Sequence, residues 1–397
     1  MDSREKPHGD VPRGKNNVRP SLEKQDSSPL IEKIRANDYC LRSGRLEIYL
    51  AREFGFCYGV ERAVEYAYET RLKFPDCRIF LTDEIIHNPR VNRELRELGI
   101  RFLSGPSACG LAVTDLDEKD VVIMPAFGVP VNALKEYQER GCVIVDTTCG
   151  SVMSVWRRVE SYARDGFTSV IHGKYDHEET RATCSRAGKY LVVRDQAQAR
   201  QVCDLILRGG DKASNTPREN NPFLADFKRV CSEGFDPGKD LEKIGFANQT
   251  TMLMSESIVI SGMLREGLEA RYGIEAARAR FRHFDTICSA TQDRQDAIRA
   301  LGEKQMDLIL VIGGYKSSNT GHLAEIASRY APTFHIEDAD GILSKEKISH
   351  RNIDTQMITE TDGWIPGGTA KVGITAGAST PNHVIEEVIE RLMECTR

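Results

Sequence analysis

Three cysteines of this 397-residue chain share one local setting, in which a short apolar segment ends in the cysteine and a stretch with helical periodicity follows at once. They are Cys57 in GFCYGVERAV, Cys149 in VDTTCGSVMS and Cys288 in FDTICSATQD, spaced 92 and 139 residues apart. A thiol at a helix N-terminus lies at the positive end of the macrodipole, which favours the thiolate that soft metals and iron–sulfur clusters require. Three thiolates on a four-iron cluster would leave one iron open to a substrate. From spacing alone, three unrelated structural cysteines remain the simpler interpretation.

Two loops have the composition of anion sites. Lys316-Ser317-Ser318-Asn319-Thr320 follows a strongly apolar strand and precedes a helical stretch, and Gly377-Ala378-Ser379-Thr380-Pro381 repeats the arrangement. Hydroxyl and amide side chains combine there with free backbone N–H groups at a predicted helix start, which is the chemistry that binds phosphate. Simple helix capping is the alternative for each loop. Neither a Walker A sequence nor a GxGxxG motif occurs, so nucleotide kinases and dinucleotide enzymes lose support.

Two histidines and an acidic pair also lie at predicted strand-to-helix junctions. His87 stands in TDEIIHNPRV, and His177 is followed directly by Glu178 and Glu179 in KYDHEET. A histidine at such a place can donate to an anion, and a neighbouring carboxyl group can transfer a proton. Thr250, in ANQTT, adds a hydroxyl donor. For each of these residues a capping or surface role is the alternative.

The elements that would position these groups follow an α/β pattern. Short apolar runs alternate with helical periodicity from about residue 46, which favours parallel sheets with ligands at the carboxyl ends of the strands. The predicted strands are Leu46–Leu50, Arg78–Leu81, Val121–Pro125, Val143–Val145, Ser169–Ile171, Tyr190–Val193, Asp307–Ile312 and Lys371–Thr375. Residues 208–240 are polar and rich in turn formers, which indicates a surface insertion.

Composition limits the class of protein. The chain carries 54 Lys plus Arg against 59 Asp plus Glu, a net charge of −5, which argues against a general nucleic-acid coat. No apolar run approaches the roughly 18 residues that a membrane span needs. The 11 cysteines include no CxxC pair and form no evident disulfide framework, which fits a reducing compartment. Residues 1–45 are expected to form a disordered N-terminal tail without a targeting signal.

Taken in order, eight motifs resemble the 4-hydroxy-3-methylbut-2-enyl diphosphate reductase family, over about residue 46 to the C-terminus. They are GFCYGV, EIIHNP, DTTC, the HEE of KYDHEET, NQTT, DTICSATQDRQ, KSSN and TAGASTP. The tail and the insertion resemble the plant and cyanobacterial branch. The resemblance implies a trefoil of three α/β domains with small parallel sheets around a central iron–sulfur cluster. The expected domains are 46–148, whose initial strand could join the third domain, then 149–287 and 288–397.

The resemblance also implies residue roles. Cys57, Cys149 and Cys288 would ligate one four-iron four-sulfur ([4Fe–4S]) cluster with one open iron. The substrate diphosphate would bind the side chains of Ser317, Ser318, Asn319, Ser379, His87 and His177. Glu179 matches the proton-relay carboxylate and Thr250 matches its hydroxyl partner. Glu178 stands where other members carry Pro, so we expect its side chain to be dispensable.

One loop departs from the family pattern. Many bacterial members have a His in an A-H-G-V loop that contacts the diphosphate, whereas this chain reads PAFGVP with Phe127. Plant-type members share that Phe, so the implied activity is retained while the ligand role of this position is not carried over. Gly150 likewise replaces a Pro that often follows the second cysteine.

The reaction that the resemblance implies is the reductive dehydroxylation of (E)-4-hydroxy-3-methylbut-2-enyl diphosphate. Two electrons, expected from a ferredoxin or flavodoxin, and two protons would give isopentenyl or dimethylallyl diphosphate and water. This is the last step of the methylerythritol phosphate route to isoprenoids, expected in the cytoplasm, with the plastid stroma as the second choice. A [4Fe–4S] hydro-lyase and a non-catalytic iron–sulfur redox sensor are the alternatives. The second of these would have no use for the anion loops.

Overall fold

The computed structural model describes residues 28–209, 228–284 and 286–396. Its strands, in chain order, are β1 (Cys40–Ser43), β2 (Leu46–Leu50), β3 (Ile79–Leu81), β4 (Ile100–Phe102), β5 (Val121–Met124), β6 (Val143–Asp146), β7 (Thr168–His172), β8 (Lys189–Val193), β9 (Ile244–Asn248), β10 (Phe281–His283), β11 (Leu308–Ile312), β12 (Thr333–Ile336), β13 (Lys347–Arg351), β14 (Ile358–Asp362) and β15 (Ala370–Ala376).

The α-helices are α1 (Pro29–Ala36), α2 (Tyr58–Lys73), α3 (Pro89–Glu97), α4 (Val131–Glu139), α5 (Gly150–Arg164), α6 (Glu178–Cys184), α7 (Gln196–Arg208), α8 (Pro237–Asp240), α9 (Met254–Tyr272), α10 (Ile274–Arg278), α11 (Ser289–Gly302), α12 (Ser318–Ala327) and α13 (Asn382–Thr396). Short 3₁₀ turns occur at Val113–Asp115 and Ala339–Gly341. In the described parts of the chain, no helix has both the length and the apolar character needed to cross a membrane.

The strands form three sheets. The first has the order β4-β3-β5-β6 and the second β10-β9-β7-β8, and all pairs in both sheets are parallel. The third has the order β1-β2-β15-β11-β12-β13-β14, with a parallel centre from β2 to β12 and antiparallel edge strands. Each sheet is covered by helices, which is the layered arrangement that parallel strands need in order to bury both faces.

The chain passes from one sheet to the next at the three cysteines. Strand β2 belongs to the third sheet, yet the helix after Cys57 packs its Ala63, Val64 and Ala67 into the core of the first. Strand β6 belongs to the first sheet, and the helix after Cys149 packs on β9 of the second. Strand β10 belongs to the second sheet, and the helix after Cys288 packs on β11 of the third. The recurring segment–cysteine–helix pattern is therefore a set of crossings between sheets.

Two expectations about flanking segments need correction. The sequence predicts that residues 28–45 belong to a disordered tail, but Ser28 caps α1, Ile31 and Ile34 are fully buried in the core of the third sheet, and β1 pairs with β2. Burial of two isoleucines outweighs the polar composition of the segment. Residues 1–27 lie outside the described part of the chain.

The expected surface insertion is also partly core. Cys231 bridges to Leu191, and Phe235 packs in the second core with 7% of its surface exposed. Residues 210–227 of that segment lie outside the described residues. The division into domains at 46–148, 149–287 and 288–397 stays a prediction, because strand pairing does not show which units fold independently.

Candidate active site

Each of the three cysteines is the N-cap residue of its helix. Their backbones are extended, and none of the three thiols makes a capping hydrogen bond to its helix. The backbone N–H of each donates to a carbonyl of a neighbouring loop. These bonds are Cys57 to Ala378 at 3.3 Å, Cys149 to Ala126 at 3.0 Å and Cys288 to Thr250 at 3.2 Å. The main chain fixes the three helix starts and leaves the sulfurs available as ligands.

The three cysteines lie near one another. A Cβ atom on Gly59, two residues after Cys57, would lie 2.5 Å from the Cys149 sulfur, so glycine makes the room that this thiol occupies. Burial first, and then the charge of Cys57 nearby, raise the pKa of the Cys288 thiol to about 11. The Cys288 sulfur also lies 2.9 Å from the Thr291 hydroxyl. Burial therefore outweighs the two Thr291 hydrogen bonds that lower this pKa, and the thiolate that the sequence suggested is not favoured at Cys288.

This donor set fits a group that takes three thiolates. Sulfur ligands suit iron–sulfur clusters and other soft metal centres, and binding of the metal removes the thiol protons. Other cysteines are engaged elsewhere, since the thiol of Cys142 donates to Asp117 at 3.5 Å and that of Cys203 to Met263 at 3.3 Å. Cys184 is buried in the second unit, where burial raises its pKa to about 12.

Glu179 and Thr250 meet beside Cys288, although 71 residues separate them. One Glu179 oxygen accepts the Thr250 backbone N–H at 2.6 Å, and the other accepts its hydroxyl at 2.9 Å. Glu179 has 1% of its surface exposed. Burial raises the pKa of this carboxyl to about 7, against the opposing effect of the two Thr250 hydrogen bonds and the charge of His87. A carboxyl with that pKa can both hold and release a proton near neutral pH.

The two anion loops lie together at the carboxyl ends of β11 and β15. Ser317 is the N-cap residue of α12, and its hydroxyl accepts from the Thr320 N–H at 3.3 Å, as the capping alternative predicts. Asn319 accepts from the Ala378 N–H at 3.0 Å, while its own side-chain NH₂ is buried and has no partner within the described part of the chain. The Ser318 hydroxyl lies 3.5 Å from the Gln249 side-chain nitrogen. An unpartnered buried donor at this place suits an anionic ligand.

Ser379 connects these loops to His87. Its hydroxyl donates to the His87 carbonyl at 3.4 Å, and its own carbonyl accepts from Asn88 at 2.8 Å. A Cβ atom on Gly314 would lie 2.2 Å from the same His87 carbonyl, so only glycine permits this close approach. The loops after β3, β11 and β15 therefore meet at one point.

The rings of His87, His177 and Phe127 pack against one another. His87 stacks on Phe127 with ring centres 4.4 Å apart, and the His177 ring lies nearly perpendicular to both, with its centre 5.1 and 5.4 Å from theirs. Burial and the charge of His87 lower the pKa of His177 to about 3. Its Nδ1 accepts from the Glu179 N–H at 3.2 Å, which leaves Nε2–H as a donor. Phe127 lies inside the site as an apolar platform.

Two carboxylates flank His87, and sequence reasoning predicted neither contact. Glu84 lies 3.3 Å from Nδ1 and Glu178 lies 3.4 Å from Nε2. The spacing of Glu84 and His87, three residues apart, was a readable sign of such a pair. The expectation that the Glu178 side chain is dispensable stays a prediction, although the side chain contacts His87.

A cavity of about 600 Å³ opens beside these groups. Its wall includes His87, His177, Glu178, Ser317 and Ser318. Asn319, Ser379 and Glu179 are each at most 6% exposed and are not part of that wall. The structure therefore brings all the predicted diphosphate ligands to one region and places the candidate proton donor deeper than the cavity.

A family model described as LytB protein matches residues 48–393. The chain belongs to the LytB family. Two curated relatives named 4-hydroxy-3-methylbut-2-enyl diphosphate reductase are the Gloeobacter violaceus protein, 49% identical over 96% of this chain and 90% of the relative, and a Synechococcus protein, 50% identical over 95% and 92%. The family expected from the eight motifs is confirmed.

Solved structures of the family confirm the fold. One, titled as the structure of (E)-4-hydroxy-3-methyl-but-2-enyl diphosphate reductase, the terminal enzyme of the non-mevalonate pathway, covers 87% of this chain and 99% of its own, with 26% identity and a TM-score of 0.51. The reductase from Plasmodium falciparum is 21% identical with a TM-score of 0.61, over 86% of each chain. The prediction of three α/β units with small parallel sheets in a trefoil is confirmed. The individual site residues stay predictions.

Proposed function

We propose that this chain reduces (E)-4-hydroxy-3-methylbut-2-enyl diphosphate to isopentenyl and dimethylallyl diphosphate. One substrate, two electrons and two protons give one product and one water, in the last step of the methylerythritol phosphate route. The observation that carries the proposal is the contact of Glu179 with Thr250 beside Cys288, next to a cavity lined by anion-binding groups. The names of relatives at about half identity support the same reaction.

Cys57, Cys149 and Cys288 would hold one [4Fe–4S] cluster, since each presents a thiol free of helix capping at the point where the three units meet. When bound, such a cluster supplies single electrons and an open iron position for the allylic hydroxyl group. All other tasks fall to side chains of the protein.

The diphosphate would bind at the N-terminus of α12. The hydroxyls of Ser317 and Ser318 and the side-chain NH₂ of Asn319 offer donors there, together with the positive end of the ten-residue helix. The Ser379 hydroxyl would turn from the His87 carbonyl to add a further donor. His87 and His177 would complete the shell from the opposite side, one as a cation and one as a neutral donor. Held in this way, the substrate would have its hydroxyl end directed inward toward the cysteines.

Glu179 would deliver a proton to the reacting end of the substrate. Its pKa of about 7, raised by burial, leaves a substantial fraction protonated at neutral pH. Thr250 fixes both carboxyl oxygens and, through its carbonyl, also receives the N–H of Cys288. Thr250 thereby orients the Glu179 carboxyl group and also holds the backbone of Cys288.

We infer that electrons come from a small ferredoxin or flavodoxin, and that the reaction takes place in the cytoplasm. The deciding experiment is oxygen-free turnover of the diphosphate substrate with and without a reductant, alongside iron and sulfide analysis. Isoprenoid diphosphates formed only with reductant support the proposal. Product that forms without reductant would indicate a hydro-lyase. An iron–sulfur protein that neither binds nor converts the substrate would indicate a redox sensor.

A further inference from the structure

The imidazole of His87 is held between two carboxylates. Glu84 faces Nδ1 at 3.3 Å and Glu178 faces Nε2 at 3.4 Å, while the stacked Phe127 ring restricts motion out of the ring plane. The His87 side chain has 8% of its surface exposed. Its Nε2 has no hydrogen-bond partner among the described residues other than this ion pair. A buried imidazole with a carboxylate at each nitrogen is strongly favoured in its charged form.

The two carboxylates differ in what they face. Glu84 is paired with Lys316 at 3.5 Å and is not part of the cavity wall. Glu178 has 32% of its side chain exposed and does line the cavity, so it lies between His87 and the space that a diphosphate would enter. The nitrogen that Glu178 contacts is therefore the one that an incoming anion can reach.

We propose that Glu178 is a positioning residue for His87, holding the imidazole charged and in place until the diphosphate takes over its contact with Nε2. The inference rests on the proposed function, in which His87 binds the diphosphate. Before the substrate binds, the Glu178 carboxylate occupies the anion position beside Nε2 of His87. Its partly exposed side chain can turn toward solvent when the more highly charged diphosphate binds.

The electrostatic balance at His87 agrees with this role. Burial alone would lower the pKa of His87, but the hydrogen bonds and charges of Glu178 and Glu84 outweigh burial and raise it to about 9. Without Glu178, only the Glu84 carboxylate would oppose the effect of burial, and the pKa of His87 would fall toward neutral pH. The titratable and charged groups that face His87 are Glu84, His177, Glu178 and Glu179, with Lys316 beyond Glu84.

The test compares Glu178→Gln with Asp176→Asn in the cluster-loaded enzyme. Asp176 lines the same cavity, and no ion pair or hydrogen bond to His87 is described for it, so both variants remove one negative charge from one wall. KM for the substrate and Kd for inorganic diphosphate, the latter by calorimetry, are measured between pH 6.5 and 8.5. The ligand ionises in the same way whichever variant is present. The ratio of each variant's KM or Kd to the wild-type value therefore reports only the titration of protein groups.

We expect KM and Kd of Glu178→Gln, relative to wild type, to rise at least fivefold between pH 6.5 and 8.5. Asp176→Asn should keep a constant ratio, and Glu178→Asp, which retains the charge, should return the wild-type profile. A constant ratio for Glu178→Gln would overturn the inference and leave the proposed function intact. If the wild type neither binds diphosphate nor forms product, both fall. Should the Gln variant lose its iron, Glu178→Ala carries the same test with the same expected ratio.

Discussion

Replacing Glu179 by Gln changes a single atom in the most enclosed carboxyl group of the site. The amide oxygen can still accept the Thr250 N–H, and the amide nitrogen can donate to the Thr250 hydroxyl, which then acts as acceptor. Shape and hydrogen bonding are therefore retained, whereas the transferable proton is lost. We expect iron content and diphosphate affinity to stay within about twofold of wild type.

The expected loss lies in turnover. Removal of a general acid lowers rates by about 10²–10⁴, which corresponds to about 3–5 kcal/mol of transition-state stabilisation. The assay is oxygen-free turnover with excess reductant at saturating substrate, so that kcat and KM are separated. Glu178→Gln is the matched control, because it alters the adjacent carboxylate and should affect KM rather than kcat.

Stability provides an independent readout of the same carboxyl group. Glu179 binds its proton more tightly when folded, because burial raises its pKa from 4.5 to about 7. Its contribution to stability is therefore fully present below about pH 4.5 and is lost as the pH rises through 7, a change of about 3 kcal/mol. The free energy of unfolding of Glu179→Gln, relative to wild type, should rise by this order between pH 5 and 8.

Two results would refute this reasoning about Glu179. One is a Gln variant that keeps more than a tenth of wild-type kcat with unchanged product. The other is a stability difference from wild type that does not vary with pH, which would mean that the carboxyl is not held protonated by burial. If Glu178→Gln were the inactive enzyme instead, the proton donor would be the neighbouring residue.

The remaining predictions concern the ligands. Ser in place of Cys57, Cys149 or Cys288 should remove iron and activity together. As a control, Ser in place of the exposed Cys109 should leave the iron content unchanged. Full iron occupancy in any of the first three variants would contradict the ligand assignment. Asn319→Ala should weaken substrate binding by about 1.5–3 kcal/mol, because a donor to a charged group is lost. Asn319→Asp keeps the acceptor for the Ala378 N–H and should bind the substrate at least as poorly. An unchanged Kd in both variants would show that the diphosphate does not bind at Asn319. Phe127→His should be tolerated or mildly harmful to kcat/KM, since the ring it replaces serves His87 as a stacking platform; a marked gain would show that this position is still a ligand position.

How far the sequence predicts the fold depends on the pattern of burial. The sequence predicts strand β2 with its observed limits because the apolar side chains of Leu46, Ile48 and Leu50 are buried in strict alternation. Strand β14 was missed because it is an edge strand whose residues are mostly exposed, so ITETD carries no apolar pattern. Helix α1 was missed although Ser28 and Pro29 give a readable capping signal, since the polar tail before it dominated the composition.

The site divides in a similar way. Residues with distinctive motifs were found, because their chemistry is local to strand-to-helix loops. The contact of Glu178 with His87 joins loops of two different sheets, 91 residues apart, and no local pattern predicts it. The stacking of Phe127 on His87 joins the loops that follow two neighbouring strands of one sheet, β5 and β3, 40 residues apart. Contacts between residues that are distant in the chain are the part of the site that sequence periodicity does not contain.

The three crossings between sheets have a mechanical consequence. Because the chain leaves one unit and enters the next at Cys57, Cys149 and Cys288, each connection of the trefoil carries one of the three candidate ligands at the point about which two units would pivot. Atoms near a pivot move least when the bodies around it rotate. A rotation of one unit against another would therefore change the distances between the three thiols less than the distances between the anion loops and His87. The spacing of the thiols is in this way protected from relative movement of the units.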